Sequence, residues 1–264
     1  MIHDNRDMPP LPGFPPGLHF GFEMRGRRIL YCYIRKNACS AFKRMITVRS
    51  PERAKLDGFS SRLKFLRRFH GVRDIRAEDY DHTIFVHRDP VERLVSVWRN
   101  KFVQRDGHDD VFASYAAVTG RDPARASFAE FLEVYMAHPL PELNLHLHPQ
   151  ATCLAAIRYS DALPLRDLHD HMVPIIGPKP AERFFRQPTN ASAAPAGAAP
   201  EEARGRASEE LWRHWTQTGT MPPPAAFLGP DDAALIRGIY AADCRMLARL
   251  QPAPALTPTT AAPA

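Results

Sequence analysis

Two segments of the chain share one pattern, in which a short apolar run is followed by a polar loop and then by apolar residues at helical spacing. The first segment is RILYCYIRKNACSAFKRMI, residues 28–46. Within it, Ile29–Ile34 is compact and rich in β-forming residues, and Phe42, Met45 and Ile46 return at helical spacing. The pattern predicts a buried strand, a loop and a helix.

The second segment is HTIFVHRDPVERLVSVWRNKF, residues 82–102. Thr83–Val86 is a short apolar run typical of a buried strand. The apolar residues after it recur at i, i+3, i+4, i+7 and i+11, on one face of a helix: Val91, Leu94, Val95, Trp98 and Phe102. Asp89 suits the N-cap, Pro90 the first helical position and Glu92 the third, so the sequence predicts a capped helix start.

The remaining pattern predicts the fold class and the domain limits. Phe128–Met136 and Ala234–Leu250 are further amphipathic helices, and the alternation of strands with helices favours an α/β fold with a mostly parallel central sheet. We expect one domain over 21–250. Residues 1–20 are predicted to be a flexible Pro-rich arm, residues 186–207 a low-complexity excursion and residues 251–264 a disordered tail.

Positive charge is concentrated in the part of the chain that holds the two segments. Of 264 residues, 44% are hydrophobic and 24% charged, which is ordinary for a globular protein, and the net charge is +6. Residues 25–105 hold 21 Lys and Arg against 8 Asp and Glu. Residues 25–105 should therefore attract an anion, such as a nucleotide, a nucleic acid, a sulfated glycan or an acidic membrane.

Several classes are disfavoured by what the sequence lacks. The four cysteines are scattered, without the spacing of a zinc site or a disulfide framework. No stretch approaches the roughly 20 apolar residues of a membrane span, and the N-terminus lacks the pattern of a signal peptide. A cytoplasmic protein is the expectation.

The first loop, residues 35–40, joins a strand to a helix. A helix N-terminus offers unpaired N–H groups and the positive end of a dipole, which together favour an anion. Ala38 and Ser40 are small enough to let a ligand approach the backbone, and Lys36 and Lys43 flank the loop. The alternative is a plain turn with solvent-facing lysines. A Walker loop is excluded because its glycines and its Gly-Lys-Ser/Thr ending are missing.

The second loop places a cation and a hydroxyl near each other. Arg88 follows the strand, and Ser96 lies about two turns into the next helix, off its apolar stripe. A planar guanidinium and a hydroxyl can bind one phosphate together, while Arg93, Arg99 and Lys101 would extend the positive surface. The alternative is a structural ion pair at Arg88 and an exposed Ser96.

These residues resemble a known family. YCYIRKNACSAFKRMI resembles the 5′-phosphosulfate loop of the carbohydrate sulfotransferases of the chondroitin 4-O-, dermatan and HNK-1 type, and HRDPVERLVSVWRNKF is similar to their 3′-phosphate motif. FAEFLEVYM…NLHLHPQATCL resembles the family's F-x-x-F…H-W-x-P-Q segment, and IRGIYAADCRML its C-terminal Y-x-x-D helix. The resemblance covers residues 28–166 with gaps, and residues 234–250.

The resemblance implies a P-loop-like, three-layer α/β sandwich that transfers a sulfuryl group from 3′-phosphoadenylyl sulfate (PAPS) to a hydroxyl of a carbohydrate or glycan, leaving adenosine 3′,5′-bisphosphate (PAP). It implies no metal. It assigns Arg88 and Ser96 to the 3′-phosphate. It assigns the 5′-phosphosulfate to the residues of the first loop and helix: Arg35, Lys36, Asn37, Ala38, Cys39, Ser40, Phe42 and Lys43.

Two catalytic roles follow from the chemistry of such a transfer. Negative charge develops on the leaving phosphate, so a cation there stabilises the transition state, and Lys36 is the candidate. The acceptor hydroxyl loses a proton, which suits a histidine. His146 matches the family's histidine four residues before Gln150, while His148 and His70 are the alternatives.

The chain departs from the family pattern at two positions. Arg35 stands where the family usually has Pro, and Leu147 stands where it usually has Trp, which would remove an aromatic wall for a sugar. The luminal anchor of the animal enzymes is also missing, which suggests a cytoplasmic, bacterial relative.

Other function classes remain open on the sequence alone. A nucleotide- or sulfoglycan-binding protein of the same fold, without turnover, would carry the same motifs. Nucleic-acid binding is disfavoured because there is no basic stripe interleaved with aromatic residues. A P-loop kinase is disfavoured because Gly-Lys-Ser/Thr is absent.

Overall fold

The computed structural model describes residues 1–186 and 203–252. Most of the predicted excursion at 186–207 and nearly all of the predicted tail at 251–264 lie outside the described residues. The strands are β1 His3–Asp4, β2 Leu18–Met24, β3 Arg27–Tyr33, β4 Gly71–Val72, β5 His82–His87, β6 Arg158–Tyr159 and β7 Asp161–Pro164. The first five helices are α1 Cys39–Arg49, α2 Arg62–Phe69, α3 Pro90–Trp98, α4 Asp109–Thr119 and α5 Phe128–Glu130. The others are α6 Leu168–Ile176, α7 Pro178–Phe185, α8 Ser208–Thr218, α9 Asp232–Ile239 and α10 Ala241–Ala248.

A five-stranded sheet of order β4-β2-β3-β5-β7 forms the centre of the molecule, and β1 and β6 pair in a separate two-stranded sheet. Strands β3, β5 and β7 are parallel, whereas β2 runs antiparallel to both β3 and β4. The prediction of an α/β fold is confirmed, but the prediction of a mostly parallel sheet is wrong, because the sheet is mixed.

The physical reason lies in the two residues between β2 and β3. Arg25 and Gly26 both have positive φ, 56° and 70°, as in the tight turns that match the twist of a hairpin. A two-residue connection can join only antiparallel strands. Strand β2 therefore lies antiparallel beside the three parallel strands, with β4 outside it at the edge of the sheet.

The two strand-loop-helix segments are confirmed. Strand β3 sends Ile29, Tyr31 and Tyr33 to one face of the sheet, and Leu30 and Cys32 to the other. This alternation fits a strand buried on both sides. Helices α1, α2, α6 and α7 cover the first face, while α10 and the segments around residues 75–80 and 151–159 cover the second.

The start of α3 agrees with its prediction in part. The side chain of Asp89 accepts hydrogen bonds from the N–H groups of Val91, at 2.8 Å, and Glu92, at 3.2 Å. The reciprocal half of the capping box is absent among the described residues, because the Glu92 carboxylate turns toward Arg88 instead, 3.5 Å from its Nε. Pro90 occupies the first helical position.

The first twenty residues differ from the flexible arm that their composition predicts. His3 is fully buried, and β1 pairs with β6. The ring of Phe14 packs edge-on against His148, with 5.0 Å between centroids. Gly17 passes so close to the carbonyl of Cys153 that a Cβ atom would lie 1.8 Å from its oxygen. Prolines here give an extended chain that lies on the body of the protein.

Both predicted amphipathic helices are interrupted. The helix over 128–136 begins as α5 and continues as a π-turn over Phe131–Tyr135. The helix over 234–250 is broken at Tyr240, whose φ of −100° and ψ of 35° separate α9 from α10. A second π-turn, Arg99–Val103, follows α3. Periodicity detects such helices but not a single wide turn within them.

Candidate functional site

The two predicted loops lie beside each other at the carboxyl ends of two neighbouring parallel strands. Strands β3 and β5 are parallel neighbours, and the loops at Arg35–Ala38 and Arg88–Asp89 follow their carboxyl ends. This edge is where open α/β sheets bind ligands. The chain therefore brings together residues about fifty positions apart in sequence.

The first loop has a strained backbone. Lys36 and Ala38 both have left-handed φ values, 68° and 55°, which costs a non-glycine residue on the order of 1–3 kcal/mol. No described side chain caps α1 at Ala38. The first N–H groups of an eleven-residue helix therefore face the loop without a capping partner, in the arrangement that binds oxyanions.

The second loop places two guanidinium groups near each other. The Nε atom of Arg88 is buried and forms an ion pair with the half-exposed Glu92 carboxylate, 3.5 Å away, as the alternative interpretation of this loop expects. One terminal nitrogen of Arg99 is buried and has no hydrogen-bond partner within the described chain. Burial lowers the pKa of Arg99, and the charge of Arg88 lowers it further. A buried guanidinium nitrogen without a partner is costly, so Arg99 fits an anion of a ligand. Ser96 is half-buried, and its hydroxyl has no hydrogen-bond partner among the residues described.

Gln150 links the two loops. Its Oε1 accepts from the Arg88 N–H at 3.0 Å and from Asn37 Nδ2 at 2.5 Å, and its Nε2 donates to the Arg88 carbonyl at 2.9 Å. Asn37 Nδ2 also donates to the carbonyl of Val86 in β5 at 2.8 Å. Gln150 and Asn37 are both fully buried. One amide side chain thus fixes the second loop against the first.

Asp243 on α10 holds Gln150 from the opposite side. Its carboxylate accepts from Gln150 Nε2 at 3.1 Å and from the Ala151 N–H at 2.9 Å, and the residue is fully buried. Burial raises the pKa of Asp243, while the charge of Arg93 and the N–H donors lower it. The C-terminal helix is therefore part of the same polar network.

Arg93 joins the first loop to the segment that carries His146. Its Nε donates to the carbonyl of Arg35 at 3.3 Å, and one terminal nitrogen donates to the carbonyls of His146 and His148, at 3.1 and 2.8 Å. The prediction that Arg93 and Lys101 extend an exposed surface is wrong, because they are only 2% and 8% exposed. The guanidinium of Arg93 points toward residues 146–148. Lys101 lies in the π-turn, and its Nζ donates to the carbonyls of Asp106 and Gly107.

His146 has the geometry of an oriented base. Asn144 Oδ1 accepts both the His146 N–H, at 3.0 Å, and Nδ1–H, at 2.7 Å, which places the ring proton on Nδ1 and the lone pair on Nε2. The carboxylate of Asp110 lies 3.6 Å from Nδ1. Burial lowers the pKa of His146 well below its ordinary value, and the charges of Lys101, Arg35, Lys36 and Arg93 lower it further.

The two alternative histidines are engaged elsewhere. His148 Nε2 lies 3.1 Å from the carbonyl oxygen of Leu143 and donates to it. His70 lies 3.0 Å from the Gly21 carbonyl through Nδ1 and 2.8 Å from the Ser50 hydroxyl through Nε2. Neither histidine pKa is affected by Lys36. The geometry favours His146.

Lys36 belongs to the first loop and lies near enough to the second for the charge of Arg88 to act on it. Burial lowers the pKa of Lys36 to about 8; the charge of Cys39 raises it, and the charges of Lys101 and Arg88 add to the lowering. The charge of Lys36 also lowers the pKa of His146, so the two side chains lie in the same basic region. Lys43 belongs to the same region, because its charge lowers the pKa of Lys101.

Of the other residues assigned to the first loop and helix, Arg35, Cys39 and Ser40 are half-buried, whereas Phe42 is fully buried. Cys39 and Ser40 are half-buried in the first turn of α1, and the guanidinium of Arg35 lies over the ring of Tyr33, at 5.6 Å from its centroid. Phe42 departs from its assignment as a ligand-binding residue. Its ring is fully buried and stacks on Tyr31 at 3.8 Å, and its N–H donates to the Ala38 carbonyl. It supports the loop from behind.

Sequence reasoning missed Asn144 and Asp110, and it did not assign the other residues that hold the site together their structural roles. Gln150 and Asp243 entered only as letters of the family motifs, and Arg93, Arg99 and Lys101 only as a positive surface. A polar residue on the apolar side of a helix is a signal for a buried network, and Asp243, in line with Met246 and Leu247, carries it. Among the described residues, no group of three or more His, Cys, Asp or Glu side chains could hold a metal ion.

Comparison with known proteins gives a consistent result. The family model described as the sulfotransferase family matches residues 23–164. Carbohydrate sulfotransferase 14 of Homo sapiens and of Mus musculus are each 36% identical over 139 residues, covering 46% of this chain and 36% of the relative. Carbohydrate sulfotransferase 11 of Rattus norvegicus is 36% identical over 88 residues, covering 29% of this chain and 24% of the relative. No solved structure matches.

The chain spans about a third of the length of the first two of these relatives. The matched region includes both loops and the segment with His146 and Gln150, whereas Asp243 lies beyond it. No helix in residues 1–186 and 203–252 is long and apolar enough to cross a membrane. Because the family model covers more than half of the chain, the protein belongs to the sulfotransferase family.

Proposed function

We propose that the protein transfers a sulfuryl group from PAPS to a hydroxyl of a carbohydrate or glycan acceptor, leaving PAP. One observation carries this proposal: the buried Gln150 side chain holds the loop that follows β3 and the loop that follows β5 side by side. A donor with two separate anionic groups matches two separate loops. The names of the relatives support a carbohydrate as the acceptor.

The described residues fit such a donor. The uncapped N-terminus of α1, with Lys36 and Lys43 beside it, would hold the 5′-phosphosulfate. Arg88, Arg99 and Ser96 would hold the 3′-phosphate, since one buried guanidinium nitrogen of Arg99 has no hydrogen-bond partner within the described chain and Arg88 is paired only with Glu92, at 3.5 Å. PAPS supplies the sulfuryl group: the acceptor oxygen forms a bond to sulfur, and the bond from sulfur to the 5′-phosphate oxygen breaks.

Lys36 would stabilise the leaving group. Negative charge grows on the bridging oxygen as the bond to sulfur breaks, and a fixed cation in a partly buried site is effective there. Lys101 would add charge to the same pocket, because its charge acts on both Lys36 and His146. Arg93 sets the position of the loop through the carbonyl of Arg35.

His146 would accept the proton of the acceptor hydroxyl at Nε2. Asn144 fixes the tautomer through Nδ1, and Asp110 lies near enough to stabilise the imidazolium that forms. In the free protein the surrounding cations disfavour this imidazolium. A bound anionic donor would offset their charge and raise the basicity of His146.

Calorimetric titration tests the donor site. We expect PAP to bind more tightly than 5′-AMP, with the difference removed in Arg88→Ala. Transfer of ³⁵S from labelled PAPS to a panel of glycans tests turnover, and Lys36→Ala should abolish it while the circular dichroism spectrum is retained. Equal binding of PAP and 5′-AMP would contradict the proposal.

The alternative is a protein of the same fold that binds a nucleotide or a sulfated glycan without turnover. It predicts tight PAP binding with no transfer to any acceptor and no effect of His146→Ala on hydrolysis of PAPS. The oriented lone pair of His146 beside Lys36 favours the enzyme.

A further inference from the structure

The C-terminal helix α10 contributes to the donor site through a single side chain. Asp243 is fully buried and lies beyond the region matched by the family model. Its carboxylate accepts from Gln150 Nε2 and from the Ala151 N–H. Both donors belong to the segment that joins the two loops.

Gln150 has four hydrogen-bond positions, and each of them is used. Its oxygen accepts from the Arg88 N–H and from Asn37 Nδ2, and its nitrogen donates to the Arg88 carbonyl and to Asp243. An amide can satisfy these partners only with its oxygen toward Asn37 and its nitrogen toward Asp243. The carboxylate of Asp243 has no N–H, so it enforces this orientation.

We infer that Asp243 is a positioning residue that fixes the Gln150 amide, and through it the separation between the loop that follows β3 and the loop that follows β5. The inference rests on the proposed function, because it assigns this separation to the recognition of a ligand with two anionic groups. The residue acts on the ligand only through Gln150 and is not a catalytic residue.

The expected consequence is a loss of discrimination between two nucleotides. PAP uses both loops, whereas 5′-AMP uses the first loop alone. If Asp243 sets the separation of the loops, its loss weakens PAP binding much more than 5′-AMP binding. A residue that only stabilises the fold would reduce the active fraction and leave the ratio of the two dissociation constants unchanged.

Asp243→Asn is the most informative variant, since the side chain of Asn has nearly the same shape as that of Asp. An oriented Asn can still accept from the Ala151 N–H, but its NH₂ group then faces the NH₂ group of Gln150. We expect the PAP to 5′-AMP affinity ratio to fall about tenfold, the change that corresponds to 1.4 kcal/mol. Gln150→Met should reduce the same ratio. The double variant should be no worse than Gln150→Met alone, because that substitution already removes the contact between Gln150 and Asp243 together with the other three hydrogen bonds of the amide.

Asp232→Asn is the matched control. Asp232 is 5% exposed on the neighbouring helix α9 and accepts from the Gly229 N–H and from Arg204. It has no contact with Gln150 within the described residues. We expect this variant to lose thermal stability while keeping the affinity ratio of the unmodified protein.

The measurement is calorimetric titration of PAP and of 5′-AMP into the unmodified chain and each variant, with the folded fraction checked by thermal denaturation. If the unmodified protein does not prefer PAP, the proposed function itself fails. If it prefers PAP and Asp243→Asn keeps that preference, only the inference is overturned. Additive effects of Asp243→Asn and Gln150→Met would also overturn it.

Discussion

The guanidinium of Arg93 donates to the carbonyl oxygen of His146 at 3.1 Å. The same side chain donates to the carbonyl of Arg35, directly before Lys36. Arg93 therefore connects the backbone of the proposed base to the backbone of the proposed donor loop. Its planar fork can reach both carbonyls at once, which the single ammonium of a lysine cannot do.

Arg93→Lys is expected to reduce turnover more than donor binding. Lysine keeps the charge but loses the fixed distance between His146 and Lys36. Because a hydrogen bond from a charged group contributes roughly 1.5–3 kcal/mol, we expect kcat to fall by about tenfold to a hundredfold. The KM for PAPS should change by less than kcat. Steady-state kinetics of the transfer measures both.

A matched variant separates this effect from a general loss of stability. Arg204→Lys also replaces a guanidinium that makes several hydrogen bonds, here to Asp232 and Glu133, away from the site. It should lower the melting temperature without changing kcat. An Arg93→Lys protein with the kcat of the unmodified chain would show that the fork does not position His146.

The pKa of Lys36 predicts how donor binding depends on pH. Burial holds that pKa at about 8 in the free protein. The protonated form binds the anion, so affinity for PAP should be constant below that pH and fall as the pH rises through about 8. Lys36→Arg should keep its charge to much higher pH, so the fall should disappear. Titrations of PAP between pH 6.5 and 9.5 test this, and an identical fall in both proteins would point to another group.

The fold was predictable where a local pattern determines it. The strands around Tyr31 and Phe85 and the cap at Asp89 follow from residues close together in sequence. The hairpin at Arg25 and Gly26 was missed, because Arg is unusual at a positive φ and gives no turn signal. The antiparallel edge of the sheet was missed with it.

The candidate site was predictable as a set of residues but not as a network. Lys36, Arg88 and His146 carry charge or a base, so the sequence identifies them. The partners of Gln150 depend on tertiary contacts between segments 62 to 113 residues apart. Periodicity places Asp243 on the apolar side of its helix, but no local rule places it against Gln150.

Donor binding should raise the pKa of His146. Burial lowers this pKa in the free protein, and the charges of Lys101, Arg35 and Lys36 lower it further, so the imidazole is neutral at all ordinary pH values. The phosphates of bound PAP would offset those charges and favour the protonated form. We expect the histidine resonance of the complex to titrate at a higher pH than that of the free protein.

Nuclear magnetic resonance of ¹³C-labelled histidine measures this shift, with His146→Asn used to assign the resonance. His70 serves as an internal control, because burial lowers its pKa and the groups that raise it, the Gly21 carbonyl and Glu52, lie outside the proposed donor site. A His146 resonance that does not move on addition of saturating PAP would place the base outside the field of the donor site.

Arg99→Met is expected to stabilise the free protein and weaken its ligand site. One terminal nitrogen of Arg99 is buried without a hydrogen-bond partner among the described residues, and its Nε points at the sulfur of Met221. Replacing a poorly satisfied buried cation by an apolar side chain of similar length should therefore raise the free energy of unfolding, by about 1 kcal/mol.

The same change should weaken PAP binding about tenfold, since a phosphate loses one of two guanidinium partners. Binding of 5′-AMP should be unaffected. Chemical denaturation and calorimetry measure the two effects separately, and a variant that is both less stable and unchanged in PAP affinity would show that Arg99 serves the fold rather than the ligand.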